Sequence, residues 1–401
     1  MSRRLVVSAL PGECRAAWLE DGELVALQIR RDDKPNRLGN LYLGRVTAVD
    51  KPRGMAFLDI GLTRDGMLPL SEAPGSKPSE GDALVVRLLR DPETDKGARL
   101  TARIKDPPPD LDALCADRKP PALLQAGDDL VAAVVAAKSP PDEIRIDDLT
   151  LFNALKAQLT VRDAMAAPRL HFHREPLTLF EEEGLEEAIE RLLAPRVDLP
   201  SGGHLLIEPL RSLTAIDVNS GSHDAPGRPE DLAAAVDLEA APEIARQIRL
   251  RGLSGLIVVD FLALSTKQQR QAVVAALRRA LKGDREPHRV EAMAASGLVE
   301  ISRRRGRPPL HEILTEPCGI GGSGRNKDPV TLAYEALRAL GRDVRARPWK
   351  KARIEAEASV IAALEGPAKD ALAALAEHWH RPIALEARPA TTAHPFSIVI
   401  E

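Results

Sequence analysis

The sequence predicts a multidomain α/β protein with a small all-β barrel set into it. Three observations lead there. The chain has 401 residues, enough for two or three folded units at roughly 150 residues each. From Asn40 to Lys105 the pattern is strand-only with glycine-marked bends, whereas beyond it helices and strands alternate. Between the two regimes stands Asp106-Pro-Pro-Pro-Asp110, whose prolines favour a stiff, extended connection.

Leu5-Val-Val-Ser-Ala and Trp18-Leu-Glu read as strands about the Pro11-Gly-Glu turn, and Asp21-Gly22 turns the chain into a third. Strands over 42–49, 54–61, 66–70, 82–89 and 98–104 suit a Greek-key barrel. A helix is expected over Leu123–Ala137, a strand at Glu143, a helix over Leu149–Leu159 and a strand over 168–173. Thr178–Leu193 reads as one helix with the acidic first turn that the macrodipole favours. Strands over His204–Glu208 and 212–218, a helix over Glu230–Arg249 and strand Gly255–Asp260 follow. A strand–helix–strand of that length makes parallel neighbours through a right-handed crossover. A helix over Thr266–Leu281 and a strand from Leu298 come next, then a glycine-rich hinge over 318–325. A small α/β segment over 327–401 ends the chain, and no internal repeat is present.

Composition narrows the function. The 56 Lys+Arg against 59 Asp+Glu leave a net charge of −3, so any nucleic-acid track must be local. At 44% hydrophobic residues the chain buries a sizeable core, which excludes disorder as its main state. The longest apolar run, Leu130–Ala137, falls far short of the roughly 20 residues that span a bilayer. The basic start meets Pro11 and Glu13 too soon for a secretory signal, and Cys14, Cys115 and Cys318 are scattered, which together predict a cytoplasmic protein. Aromatics make up only 3%, so a base-stacking surface must be small.

Asp217 and Asp260 form the sharpest constellation. Each ends an apolar strand, and their spacing of 43 residues fits one crossover helix, so both emerge at carboxyl ends of neighbouring parallel strands. Two converging carboxylates need a counter-charge, which Mg²⁺ supplies through oxygen ligands. Asn219 points to the same side and can orient a carboxylate or a metal-bound water. The competing reading is a pair of strand-end aspartates closing Asx turns. Arg246, Arg249 and Arg251, with Arg303–Arg305 and Arg307, suit phosphate contact or a solvated face equally. Tyr42, Phe57 and Met67 beside Arg45 and Arg64 suit either single-strand stacking or a barrel core. His171 and His173 share a strand face but lack further ligands at zinc spacing, which favours a structural role.

Several stretches resemble the ribonuclease E/G family: Leu199-Pro-Ser-Gly-Gly-His, Leu213-Thr-Ala-Ile-Asp-Val-Asn-Ser-Gly, the helix from Leu238 to Arg251, Gly255-Leu-Ile-Val-Val-Asp-Phe and Gly297-Leu-Val-Glu-Ile-Ser-Arg-Arg-Arg. The barrel, through Gly39-Asn-Leu-Tyr-Leu-Gly-Arg-Val and Ala56-Phe-Leu-Asp-Ile-Gly, is similar to that family's S1-type OB-fold. The resemblance implies an RNase-H-like subdomain over 1–37 and 120–194, interrupted by the barrel at 38–105 and a linker at 106–119. It further implies a DNase-I-like catalytic subdomain over 195–316, a degenerate zinc link at 317–326 and a small domain over 327–401.

The implied activity is Mg²⁺-dependent cleavage of single-stranded RNA, with Mn²⁺ able to substitute, leaving 5′-phosphate and 3′-hydroxyl ends. The family's catalytic aspartates fall on Asp217 and Asp260, and its supporting asparagine on Asn219. RNA contacts are expected at Phe57, Tyr42, Met67, Lys96, Arg303 and Arg305, with Met67 standing where the family has a second ring. The family's 5′-end sensor has only Asp106–Lys119 in its place, and Pro287 replaces an arginine of its pocket, with Arg289 nearby, so 5′-end sensing is expected to be absent. The zinc-link Cys-x-x-Cys reads Cys318-Gly-Ile-Gly321, so no structural zinc is expected and any homodimer forms without it. A family asparagine is Asp237 here. The alternative is an RNA-binding protein of the same fold with weak or lost catalysis, which the missing sensor, Met67 and the lost thiolate favour. A third reading, a metal-dependent phosphoesterase on small substrates, leaves the barrel unexplained.

Overall fold

A computed structural model of the chain describes residues 2–73, 78–92, 97–104, 107–108, 111–127, 130, 134, 141–162, 169–174, 179–210, 212–221, 229–317, 324–346, 348–389 and 395–401. It divides into two units, Met1–Lys34 with Ser139–Glu401, and Pro35–Lys138. The second is therefore an insertion in the first.

The first unit opens as an antiparallel meander, β1 (Arg3–Leu10), β2 (Glu13–Glu20) and β3 (Glu23–Arg31). The inserted unit holds β4 (Leu41–Asp50), β5 (Met55–Asp59), β6 (Gly66–Pro69), β7 (Ala83–Arg90), β8 (Arg99–Thr101), α1 (Leu111–Ala116) and β9 (Ala122–Gln125). β4 is long enough to pair with β7 through its first half and β5 through its second, which closes the ring β4-β5-β6-β8-β7. Val46, Ala56, Leu58, Leu68, Val86 and Leu100 fill it, each 2% exposed or less. β9 adds to the outside of β4 over Leu41–Leu43. The expected helix from Leu123 is thus a strand at its start, because the free edge of β4 supplies backbone partners that local periodicity cannot reveal. The compact unit Pro35–Lys138 therefore includes α1 and β9 as well as the five barrel strands.

Back in the first unit, β10 (Glu143–Ile146), α2 (Leu149–Arg162) and β11 (Arg169–Phe172) complete the sheet in the order β11-β10-β1-β2-β3, with β1, β10 and β11 parallel. The expected helix over 178–193 splits at Gly184 into α3 (Leu179–Glu182) and α4 (Leu185–Leu193).

The central sheet runs β12 (Arg196–Asp198), β13 (His204–Pro209), β14 (Thr214–Asn219), β15 (Gly255–Asp260), β17 (Leu298–Arg303) and β16 (His288–Val290) in space. Only β14 and β15 are parallel, joined by α5 (Pro229–Arg251); α6 (Lys267–Leu281) follows β15. α5 buries Val236, Ala240, Ala241, Ile244, Ala245 and Ile248, a helical stripe, against Ile216, Val218, Ile257, Val259 and Ile301 of the strands. Each valine or isoleucine of this set, fully buried, stabilises by about 1.5–3 kcal/mol, and each alanine methyl by roughly 0.8 kcal/mol. α5 ends at Gly252, whose φ of +68° lets Leu253 N–H reach the Ile248 carbonyl at 3.0 Å. α6 starts on a capping box between Thr266 and Gln269. Both helices cover one face of the sheet, and the alternate residues of the strands face away from them.

The remaining elements are α7 (Leu310–Leu314), the ladder of β18 (Thr315–Pro317) and β19 (Arg325–Lys327), α8 (Pro329–Ala346), β20 (Ala352–Ala356), α9 (Ala358–Glu365), α10 (Lys369–His378), β21 (Ile383–Ala387) and β22 (Phe396–Ile400). β21-β20-β22 form the last sheet. A buried ion network ties it back to the start of the chain. Glu13 accepts from Arg15 at 2.9 Å and from Arg338 of α8, and Arg15 also meets Glu186 at 2.9 Å. Burial alone would raise the Glu13 carboxyl, but Arg338 and Arg15 hold it below its usual range.

Candidate active site

The register of β14 and β15 sets Asp217 directly beside Asp260. Adjacent strands lie roughly 4.8 Å apart and paired residues point the same way, so the two carboxylates share one patch. Both are exposed and stand on the face that α5 and α6 leave open. Asn219, two residues on, donates from Nδ2 to Asp217 Oδ2 at 2.7 Å and so fixes that carboxylate's rotamer. Among the described residues neither carboxylate enters a salt bridge, and no group of three His, Cys, Asp or Glu converges. Gly297 borders the patch with φ +94°; a Cβ there would lie 3.0 Å from the Phe261 carbonyl and 3.8 Å from Asp260 Oδ1.

Strand parity adds residues that were not singled out from the sequence. Leu206 stands opposite Asp217, His204 opposite Asn219, Leu298 opposite Asp260 and Glu300 opposite Val258. Leu256 and Leu298 are 41% and 37% exposed, so this face is apolar as well as acidic. The signal was present in the alternation of β13 and β17, but only the pairing register converts it into neighbours.

Asp237 of α5 lies behind the patch. It is fully buried, its Oδ1 accepts the Leu262 N–H at 3.2 Å, and its Oδ2 has no partner. Burial pushes this carboxyl up to about 7, against the pull of the Leu262 hydrogen bond. It therefore holds the backbone two residues beyond Asp260.

The arginines expected to follow RNA are mostly packing groups. Arg303 is 7% exposed; it pairs with Asp284 at 2.6 Å and donates to the Leu253 carbonyl at 2.8 Å. Its expected RNA contact is corrected on that ground, since a guanidinium so committed has no free edge for a phosphate. Arg303 also pairs with Gly255, at the opposite end of β15 from Asp260, about 16 Å away at the rise of a strand. Arg307 donates to the carbonyls of Arg249 and Leu250, and Arg251 to Gln247, which satisfies the end of α5. Arg305 is exposed, at the same far end.

In the barrel Phe57 and Met67 are cross-strand neighbours and both are half-buried, so their side chains share one partly open patch. Tyr42 is not on it. The ring is 5% exposed and its hydroxyl accepts from Asn40 at 3.0 Å, which corrects the expected RNA contact to a core role. Lys96 lies outside the described residues. Arg99, exposed beside Met67, is the cation that the structure places next to the pair.

Comparison with known proteins bears on what this patch is. The pattern of the Ribonuclease E/G family matches residues 109–306, a stretch that holds Asp217, Asn219, Asp237 and Asp260. The chain belongs to the ribonuclease E/G family. Among its ribonuclease E/G relatives, Ribonuclease G of Escherichia coli (strain K12) is 25% identical over 488 aligned positions that cover all of both chains. Ribonuclease G of Haemophilus influenzae is 27% identical over 84% of this chain and 86% of its own. Ribonuclease E of Synechocystis is 34% identical over 52% of this chain and 32% of its own.

Proposed function

We propose that the protein is a Mg²⁺-dependent endoribonuclease of the ribonuclease E/G type acting on single-stranded RNA. The observation that carries this reading is the side-by-side register of Asp217 and Asp260 on an open sheet face, inside the stretch that matches the family. Two carboxylates with no cationic partner among the described residues, one of them held by Asn219, suit an oxygen-liganded ion that keeps most of its waters. When bound, Mg²⁺ supplies positive charge to the scissile phosphate and lowers the pKa of a water there. The protein's part is to hold that geometry: Asn219 orients Asp217, Gly297 leaves room beside Asp260, and Asp237 fixes the backbone behind it. The exposed Leu256 and Leu298 give an apolar floor on which bases can lie. Hydrolysis by an in-line water leaves a 5′-phosphate and a 3′-hydroxyl.

In the barrel, Phe57 with Met67 gives one ring and one thioether for a base, and Arg99 a charge for the backbone. The alignment with Ribonuclease G is 87 positions longer than this chain, which supports the reading that a sensor for the 5′ end is missing. With Gly321 in place of the second cysteine, no structural zinc links two chains, and any homodimer forms otherwise. No helix among the described residues is long and apolar enough to cross a membrane. A fluorogenic single-stranded RNA oligomer tests the reading. Cleavage with Mg²⁺ that EDTA abolishes is expected; binding without cleavage would favour the RNA-binding alternative instead.

A further inference from the structure

The sequence carries three tryptophans, and two of them meet in the C-terminal domain. Trp349 follows α8 and Trp379 caps α10; their rings lie 5.8 Å apart at 90°. Arg381 sits over the Trp349 ring, its Cζ 4.9 Å from the centroid. Together with Arg345 and Pro348 they line a surface cleft of about 510 Å³. Both indoles pack partly on the domain core; Arg381 is exposed, and Arg345, also exposed, is paired with Glu182 at 2.9 Å.

In the stretch from Arg342 to Arg353, six residues are basic and one, Asp343, is acidic. Glu181, Glu182, Glu355 and Glu386 pair with Arg342, Arg345 and Arg353, so the charge offered beside the indoles comes chiefly from Arg381, with Lys350 and Lys351 exposed nearby in the chain. A π-face and fixed cations side by side match a nucleobase joined to phosphate, and they match an acidic peptide less well, since a peptide leaves the rings without a partner.

We propose that this cleft is a second binding site for single-stranded RNA, separate from the Asp217–Asp260 patch. One base stacks on one of the two indoles, against the edge of the other, and Arg381 meets a flanking phosphate. The inference rests on RNA being the substrate, but its test does not require cleavage. Full-length protein in EDTA is titrated with a labelled oligouridylate, read by anisotropy and by tryptophan emission. Quenching of the emission is expected, and Arg381→Glu should weaken binding about tenfold. Because Trp349 contributes to the core, Trp349→Phe, which keeps a smaller ring, serves as the second variant; it should remove most of the quenching and leave the circular dichroism unchanged. Turnover of a minimal oligomer at saturation should be unaltered by Arg381→Glu. Quenching in a protein that cuts no RNA would sustain the cleft and sink the nuclease reading. Cleavage with wild-type affinity and emission in both variants would overturn the cleft alone. So would tighter quenching by polyglutamate than by oligouridylate, which would make it a peptide groove.

Discussion

Asp237→Asn should make the protein more stable at alkaline pH and leave it little changed in acid. The native carboxyl is fully buried, bonded only through Oδ1 to Leu262 N–H, and titrates near 7 where the unfolded chain titrates near 3.8. Between those values the folded state keeps a proton that the unfolded state has lost, so stability falls as pH rises through the window and levels off above about 7. The full difference corresponds to about 4 kcal/mol, and about 2.5 kcal/mol of it develops between roughly pH 5 and pH 8. The amide abolishes that slope. Its unpaired Nδ2 replaces an Oδ2 that is equally unpaired when protonated, so the cost of about 1–3 kcal/mol is common to both proteins in acid. Urea denaturation of both proteins at the two pH values measures the difference, in which every shared titration cancels. A wild-type-minus-variant difference that stays flat to within about 0.5 kcal/mol would refute the reasoning, because it would mean that the carboxyl is solvated or paired.

Four other outcomes follow from the same structure. Asp217→Asn and Asp260→Asn should each abolish cleavage while RNA binding persists; activity within about tenfold of wild type, only about 1.4 kcal/mol in barrier, would contradict the metal assignment. Arg303→Met should destabilise by about 3–5 kcal/mol, since Asp284 is left buried and unpaired, yet should not change the salt dependence of RNA binding, which a phosphate contact would. Substrates ending in 5′-monophosphate and 5′-hydroxyl should be cut at rates within about tenfold of each other, and a larger preference would point to another pocket, with Arg289 the first residue to test. Elemental analysis should find no stoichiometric zinc, and chelation should leave the assembly intact; about one zinc per two chains, lost with dissociation, would restore the two-chain link.

The parts of this molecule that depend on local pattern were legible in its sequence. Asp217 and Asp260 could be placed at neighbouring strand ends because each closes an apolar run and one helix separates them. The barrel strands and the three-strand opening were legible for the same reason. What was not legible depends on partners distant in the chain. Arg303 reads as a surface cation until Asp284 and the Leu253 carbonyl are beside it, and Tyr42 reads as a stacking ring until Asn40 and the barrel core enclose it. Leu123–Gln125 reads as helix because a short apolar run has no period of its own, and the edge of β4 decides the matter. The open face was half legible: alternation marks it, but which residues flank Asp217 depends on register.

The network around Glu13 has a consequence for how this chain is made. Glu13 emerges from the ribosome among the first residues, but its partner Arg338 lies 325 positions later. At about 5–20 residues per second, synthesis leaves that carboxylate waiting for tens of seconds. β1 likewise waits for β10, with the whole inserted unit made in between. Closure of the inserted barrel limits that cost. Pairing of Leu41 with Gln125 and the hydrogen bond from Gly127 N–H to Asn40 bring the ends of the insertion together, which shortens the effective loop between β1 and β10. A substitution that unfolds the barrel should therefore slow assembly of the first sheet even where every side chain of that sheet is kept.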